Sequence, residues 1–283
     1  MLHAAELVDG IAEARERWGV RAAVESVDWP ALVATRDDIV GRNHRGVQAH
    51  LAHAGVNVVA GGAELTGPRT VRIAGYGEVA ARRGIVLATG SRPRMLPVPV
   101  TDGRGFVAPA DWSRLETAVP GVHVVGDLLP PPSLGLAHAS FAEGLSVAET
   151  LAGRRPVPVD YDAVPRVTYS APQTAAVGLS EAAARDAGHD VVVNTMPLTA
   201  VAKGMVHGQG GLVKVVAERG GRVLGVHLVG PHVSEMIAES QLIVGWDAEP
   251  LDVARHIHPH PTLSEAIGES FLTLAGRGLH QQA

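Results

Sequence analysis

Residues 256–266 read HIHPHPTLSEA: His256, His258 and His260 alternate, and Glu265 follows five positions after the last of them. Three kinds of chemistry are open to such a stretch. An imidazole, which titrates near neutral pH, beside a carboxylate that fixes its tautomer makes an acid-base pair. Alternating histidines in an extended segment project to one side and could hold a metal. TLSE, Thr262 to Glu265, is also a capping box, in which Thr caps a helix and Glu reaches back to the cap N–H. Against the metal, His256 is placed at the end of the helix PLDVARHI, Pro259 and Pro261 restrict the rest, and no carboxylate pattern supplies further ligands. No metal site is expected. The acid-base and capping readings need the same first-turn geometry, and spacing leaves both open.

Other reactive positions are few. The chain has no cysteine, which excludes disulfides, thiolate metal sites and thiol nucleophiles within it. A dinucleotide fingerprint needs G-x-G-x-x-G between a strand and a helix. The nearest match, GYGEVA from Gly75 to Ala80, is followed by another strand and reads as a hairpin turn. More informative are IVLATGSRPR and VHVVGD, apolar strands that end in small or acidic residues. Open α/β sheets carry their ligand-contacting groups at that end of a strand. LGLAHASFAEG follows a few residues after Asp127.

The elements that must position these residues follow from periodicity. The first fifty residues read as helices. AAELVDGIAEAR carries Leu7, Val8, Ile11 and Ala12 at helical spacing, and a second helix opens with Asp28 as its cap and closes at Gly55. Strands are expected at VNVVAG, TVRIAG and RGIVLATG. The Pro- and Gly-rich segment from Pro97 to Pro109 reads as a connection. GVHVVGD is a buried strand leading to the helix LAHASFAEGLSVAETLAG. RRPVPVDYDAVP then marks the main domain boundary. Beyond it, GLVKVVAERGGRVLGVHLVG is a hairpin around Gly220 and Gly221, and VSEMIAESQLIVG is an amphipathic helix.

With 283 residues, 46% hydrophobic and 19% charged, the chain is long enough for one large or two ordinary globular domains. No apolar run reaches the roughly eighteen residues of a membrane span, and the N-terminus has no signal-peptide pattern, so a cytoplasmic location is expected. A net charge of −5 and the absence of a dense basic stretch give no pull toward nucleic acid.

VLATGSRPRMLP, VPGVHVVGDLLPPPSLGLAHASFAEG, VPRVTYSAPQTAAVGLSEAAAR and HIHPHPTLSEAIGE together resemble the successive signatures of the flavoprotein disulfide reductases, and most of all the dihydrolipoamide dehydrogenases. The resemblance implies an α/β plus α+β architecture. Residues 1–155 would be a partial FAD-binding domain, and residues 156–283 an interface domain through which two copies pair as a homodimer. It also implies that Asp127 hydrogen-bonds the ribityl chain of FAD, that Leu136, Ala137 and His138 lie against the flavin, and that Thr89 and Gly90 sit near the cofactor. Gly62 and Ala63 would approach the adenine side. His260 would be the general base that exchanges a proton with a dithiol substrate, oriented by Glu265 and serving the active site of the partner subunit. His256 and His258 are left as bystanders.

The departures matter as much. The family's redox disulfide and first phosphate-binding glycine turn are expected upstream of Met1. Its NAD-binding domain is missing near residues 97–110, so no NAD site is expected. These 283 residues should therefore not complete dithiol-to-NAD electron transfer alone, and the lost turn counts against FAD binding. A non-catalytic dimerisation protein, pairing with itself or a full-length relative, is the alternative.

Overall fold

The computed structural model of the chain describes residues 1–90 and 106–281. Residues 97–105, on which most of the expected junction near 97–110 falls, lie outside the described residues. The chain divides into two compact units, one of Met1–Glu64 with Val71–Val79 and one of Leu65–Thr70 with Ala80–Ala283. The expected boundary near residue 155 falls inside the second unit.

The first unit holds two helices, α1 (Leu2–Arg17) and α2 (Trp29–His53). Asp28 caps α2 as the sequence suggested, accepting the Ala31 N–H at 3.0 Å, and Pro30 occupies the first turn. Neither helix has a buried residue. Leu7, placed on an apolar stripe by its spacing, is 58% exposed. A periodic stripe is buried only where another layer covers it, and tertiary packing supplies most of a helix's stability. The amides of α1 and α2 are therefore expected to complete hydrogen exchange well before those of the central strands described below. Comparable protection in a time course read by mass spectrometry would contradict this.

Strands β1 (Ala63–Gly67), β2 (Thr70–Ile73) and β3 (Gly77–Ala80) form a sheet in that order. GYGEVA is the turn and return strand of the β2–β3 hairpin, as expected. VNVVAG is not a strand: no element pairs with residues 56–61 among the described residues, and Val58 is 69% exposed. β-branched residues fit a pleated surface, but a strand needs a neighbour to satisfy its backbone.

Two parallel strands, β4 (Ile85–Leu87) and β5 (Val122–Val124), pair in register Leu87 to Val124. Both run from the expected apolar stretches, so Thr89–Gly90 and Gly126–Asp127 leave the pair at the same end. Helix α3 (Ala137–Leu151) packs Val147 against Leu115, Val124, Val125 and Leu129.

The C-terminal half is built on a five-stranded antiparallel sheet. Its strands are β6 (Arg166–Thr168), β7 (Gln173–Gly178), β8 (Val191–Pro197), β9 (Leu212–Glu218) and β10 (Val223–Gly230), in the order β6-β7-β10-β9-β8. Gly220 and Gly221 lie in the β9–β10 turn, as the sequence predicted. Alternation along β9 sorts its side chains. Val213 and Val215 join a core with Met236, Ile237, Ile267 and Phe271, whereas Val216 faces Ala184, Val191 and Leu224. Lys214, on the Val216 face, meets Glu181 at 2.7 Å. Gly178 ends β7 at a φ of +77°, and a Cβ there would lie 2.2 Å from the Leu224 carbonyl oxygen, so only glycine fits.

Helix α4 (Glu181–Asp186) lies on the second face, and α5 (Ala202–His207) follows β8. Helices α6 (Val233–Gly245), α7 (Pro250–Ala254) and α8 (Glu265–Leu274) close the first face. Among the described residues no helix is long and apolar enough to cross a membrane.

Candidate functional site

The loop from Arg255 to Ser264 joins α7 to α8 and carries all three histidines of the opening stretch. α7 is fixed at its start by a reciprocal capping box between Glu249 and Asp252 and by Pro250 in its first turn. It ends earlier than PLDVARHI suggested, and His256 closes its last turn by donating its N–H to Val253 at 2.9 Å. The His256 side chain is exposed.

Glu265 opens α8 and performs both tasks that the sequence left open. One carboxylate oxygen lies 2.8 Å from His260 Nδ1, and the other accepts the Thr262 N–H at 2.8 Å. The capping box is only half made, because the Thr262 hydroxyl donates to the Pro259 carbonyl at 2.7 Å instead of to the helix. Burial works to raise the Glu265 carboxyl. The Thr262 N–H, the His260 hydrogen bond and the charges of His260 and His280 outweigh it and hold the group below its ordinary value. An ionised carboxylate only accepts, so Nδ1 carries the proton in that bond and Nε2 is left as the basic nitrogen. The exposures fit this division: the His260 side chain is 69% exposed and that of Glu265 only 15%. An exposed imidazole held in one tautomer by a half-buried carboxylate can accept a proton at Nε2.

His258, left aside in the sequence, has a partner of its own. Its Nε2 lies 2.7 Å from Glu239 on α6, and its side chain is 11% exposed. The bond to Glu239 raises the imidazole above its ordinary value, against the effect of burial and with help from the charges of Glu239 and Glu265. His258 was missed because its partner lies nineteen residues away on another helix. A raised native value contributes stability fully below the unfolded value of about 6.5, and that contribution is lost as pH rises through the native value. Glu239→Gln is therefore expected to cost more stability at pH 5.5 than at pH 8.5 in urea unfolding. Equal losses at the two pH values would contradict the assignment.

A third pair sits on the same helix. Glu269, 5% exposed, accepts the backbone N–H groups of Leu279 and His280 and meets His280 Nδ1 at 3.2 Å, which ties the C-terminal segment to α8.

The residues matched to a cofactor fall in two places. Gly62 and Ala63 belong to the first compact unit, where Gly62 lines a cavity of about 490 Å³ with Glu64, Arg72 and Tyr76. Thr89, Gly90, Asp127 and Leu136–His138 belong to the second unit. Asp127 is exposed on a short 3-10 turn, Gly126–Leu128, just beyond β5. The position a Cβ would take at Gly135 is 3.6 Å from an Asp127 carboxylate oxygen, which brings the segment entering α3 to the same place. Leu136 and Ala137 start α3. His138 turns away to donate from Nε2 to the Pro165 carbonyl at 2.7 Å.

One residue organises this end of the fold. Glu143, fully buried on α3, accepts the Gly126 N–H at 2.7 Å, the Ser133 hydroxyl at 2.8 Å and the Tyr161 hydroxyl at 3.2 Å. It thereby holds the turn before Asp127, the proline-rich loop and the linker after α3. The signal for it was present: Ala139, Glu143, Ser146 and Val147 share the buried face, and a carboxylate there must be bonded.

As for FAD, a carboxylate and a helix start beside two parallel strand ends fit the hydroxylated, ring-bearing part of the group. The pyrophosphate has no such fit. Among the described residues no glycine-rich turn links a strand to a helix N-terminus.

Comparison with known proteins agrees on the C-terminal half. Residues 164–271 match the model of the pyridine nucleotide-disulphide oxidoreductase dimerisation domain. The chain is 43% identical over 167 residues to dihydrolipoyl dehydrogenase of Bacillus subtilis, covering 58% of this chain and 35% of that protein. It is 40% identical over 207 residues to dihydrolipoyl dehydrogenase of Thermus scotoductus, covering 70% and 42%. The solved structure of LpdA from Mycobacterium tuberculosis superposes with a TM-score of 0.56 at 23% identity, over 81% of this chain and 51% of that one, a likeness of fold. The match thus spans well under half the length of these curated relatives.

Proposed function

Since the chain belongs to the pyridine nucleotide-disulphide oxidoreductase family through residues 164–271, we propose that it is a dihydrolipoyl dehydrogenase-like chain that pairs through its C-terminal half and offers His260 as a base to a thiol. In this reading residues 1–155 are a partial FAD-binding domain and residues 156–283 the interface domain. The thiol S–H gives its proton to His260 Nε2, leaving a thiolate. Glu265 keeps Nδ1 protonated and stabilises the imidazolium that forms. The observation that carries the reading is this division of one ring: Nδ1 held at 2.8 Å by Glu265, the rest of the side chain 69% exposed. The 283 residues contain no cysteine, so the thiol is not one of theirs.

Asp127, Thr89, Gly90 and the start of α3 would hold the sugar and ring end of FAD. When bound, the flavin would supply two-electron redox chemistry. Without a phosphate cradle these residues are not expected to retain it. The purified chain, incubated with FAD and desalted, is expected to show no flavin absorption. With dihydrolipoamide and NAD it is expected to show no NADH formation. Flavin bands or turnover in a contaminant-free sample would overturn these expectations for the 283 residues.

A second reading, a non-catalytic dimerisation protein, is favoured by large apolar side chains left open in the C-terminal half. Ile257, three residues before His260, is 96% exposed, Leu279 78% and Trp246 75%. In that case replacing His260 would change no reaction in which the chain takes part with a full-length relative.

A further inference from the structure

The dyad of His260 and Glu265 depends on a loop of ten residues that contains two prolines and is exposed at His260 itself. A hydrogen bond with one exposed partner does not by itself hold a loop in place. Leu263, buried in the core, and two contacts of His258 do. Its Nε2 lies 2.7 Å from Glu239 on α6. The other side of the ring lies on α8 at Gly268, where a Cβ would come within 2.4 Å of His258 Nδ1 and 2.8 Å of Cε1. The imidazole is thus a wedge between α6 and α8, and glycine at position 268 makes the room for it. Both helices are anchored in the sheet core, through Met236 and Ile237 on α6 and through Ile267 and Phe271 on α8. His260 is two residues further along the same extended stretch, and Glu265 is three residues, nearly one turn, before Gly268 on the same helix.

Resting on the reading of His260 and Glu265 as the functional pair, we infer that Glu239, His258 and Gly268 are positioning residues for it. They fix the loop to the two helices so that His260 Nδ1 meets Glu265, and they set which ring nitrogen is left basic. None of the three touches a substrate in this account. A carboxylate on α6, remote in sequence from the dyad, then controls its geometry.

The test is the tautomer of His260, read from imidazole nitrogen shifts in long-range proton–nitrogen spectra of the 283-residue chain at pH 8, with His260→Gln identifying the signal. In the unaltered chain the Nδ1–H form is expected to dominate. In His258→Ala and in Glu239→Ala the signal is expected to shift to mainly Nε2–H, the form that free neutral histidine prefers. His258→Gln, whose side-chain amide can still donate to Glu239, is expected to keep the Nδ1–H form. A merely structural role would lower the thermal midpoint of the Ala variants without moving the tautomer. Should His258→Ala not fold, Glu239→Ala decides alone, since that side chain is 37% exposed. An Nδ1–H form that survives Glu239→Ala overturns the inference and leaves the dyad standing. An unaltered chain without the Nδ1–H form overturns the dyad and the inference together.

Discussion

Glu143→Ala is expected to destabilise the half of the chain around β4, β5 and α3 by about 3–5 kcal/mol, as buried donors left without an acceptor cost roughly 1–3 kcal/mol each. Three donors converge on the carboxylate, from the Gly126 backbone, Ser133 and Tyr161, and the side chain is fully buried. Truncation to alanine offers none of them a replacement. The loss is not confined to stability, because Gly126 immediately precedes Asp127 and the whole turn is hung on Glu143. Tyr161 supplies a second readout. Burial, then the charge of Glu143 and the hydrogen bond to it, push the Tyr161 hydroxyl well above the usual tyrosine range. Glu143→Gln removes the charge, so one of the three tyrosines should ionise at lower pH in an ultraviolet titration. Urea unfolding followed through Trp112, whose ring meets Tyr161 edge-on at 5.8 Å, measures the stability loss. A change below about 1 kcal/mol, the ordinary worth of a single hydrogen bond, would show that water replaces the carboxylate.

Phe271→Ala is expected to cost about 3–5 kcal/mol, the usual range for deleting a buried aromatic ring. Phe271 is fully buried on α8 and belongs to the core that joins α6, α7 and α8 to the sheet. Its loss leaves a cavity that the strands of a hydrogen-bonded sheet cannot close without breaking register. Because α8 carries Glu265 and Gly268 as well as Phe271, the variant should also loosen the histidine loop once the helix begins to fray. The check is urea unfolding of the C-terminal half by far-ultraviolet circular dichroism. A loss below about 1.5 kcal/mol, the range of a well-tolerated core replacement, would contradict the packing described here.

What could be read from the residues alone depended on whether the deciding partner was close in the chain. The Asp28 cap, the β9–β10 hairpin at Gly220 and Gly221, and helix 233–245 were all legible, since turn residues and a single periodic stripe decide them. For His260 and Glu265 the spacing left an acid-base pair and a helix cap both open, and the pairing itself was implied by the resemblance. VNVVAG and the stripe on α1 failed in the opposite way. Each has the pattern of a buried element, but burial is a property of what lies opposite, and nothing in those residues says whether a neighbour exists. His258 failed because Glu239 is on another helix. Glu143 was within reach, as a carboxylate at helical spacing with small buried residues, but its three donors come from the connections before and after α3. The general rule is that local chemistry shows in a sequence and convergence does not.

In the proposed function the C-terminal half is an interface between two chains and the dyad is displayed from it. Residues 164–271 match a dimerisation domain. Ile257, Trp246 and Leu279 remain open in a single copy. The most direct test is the mass of the purified chain in solution at micromolar concentration, by sedimentation equilibrium. The claim predicts a particle of about twice the 29.4 kDa of one chain, reduced to a single chain by Ile257→Glu, since a charge desolvated in an apolar contact is strongly unfavourable. A folded particle of one chain's mass across that concentration range would contradict it.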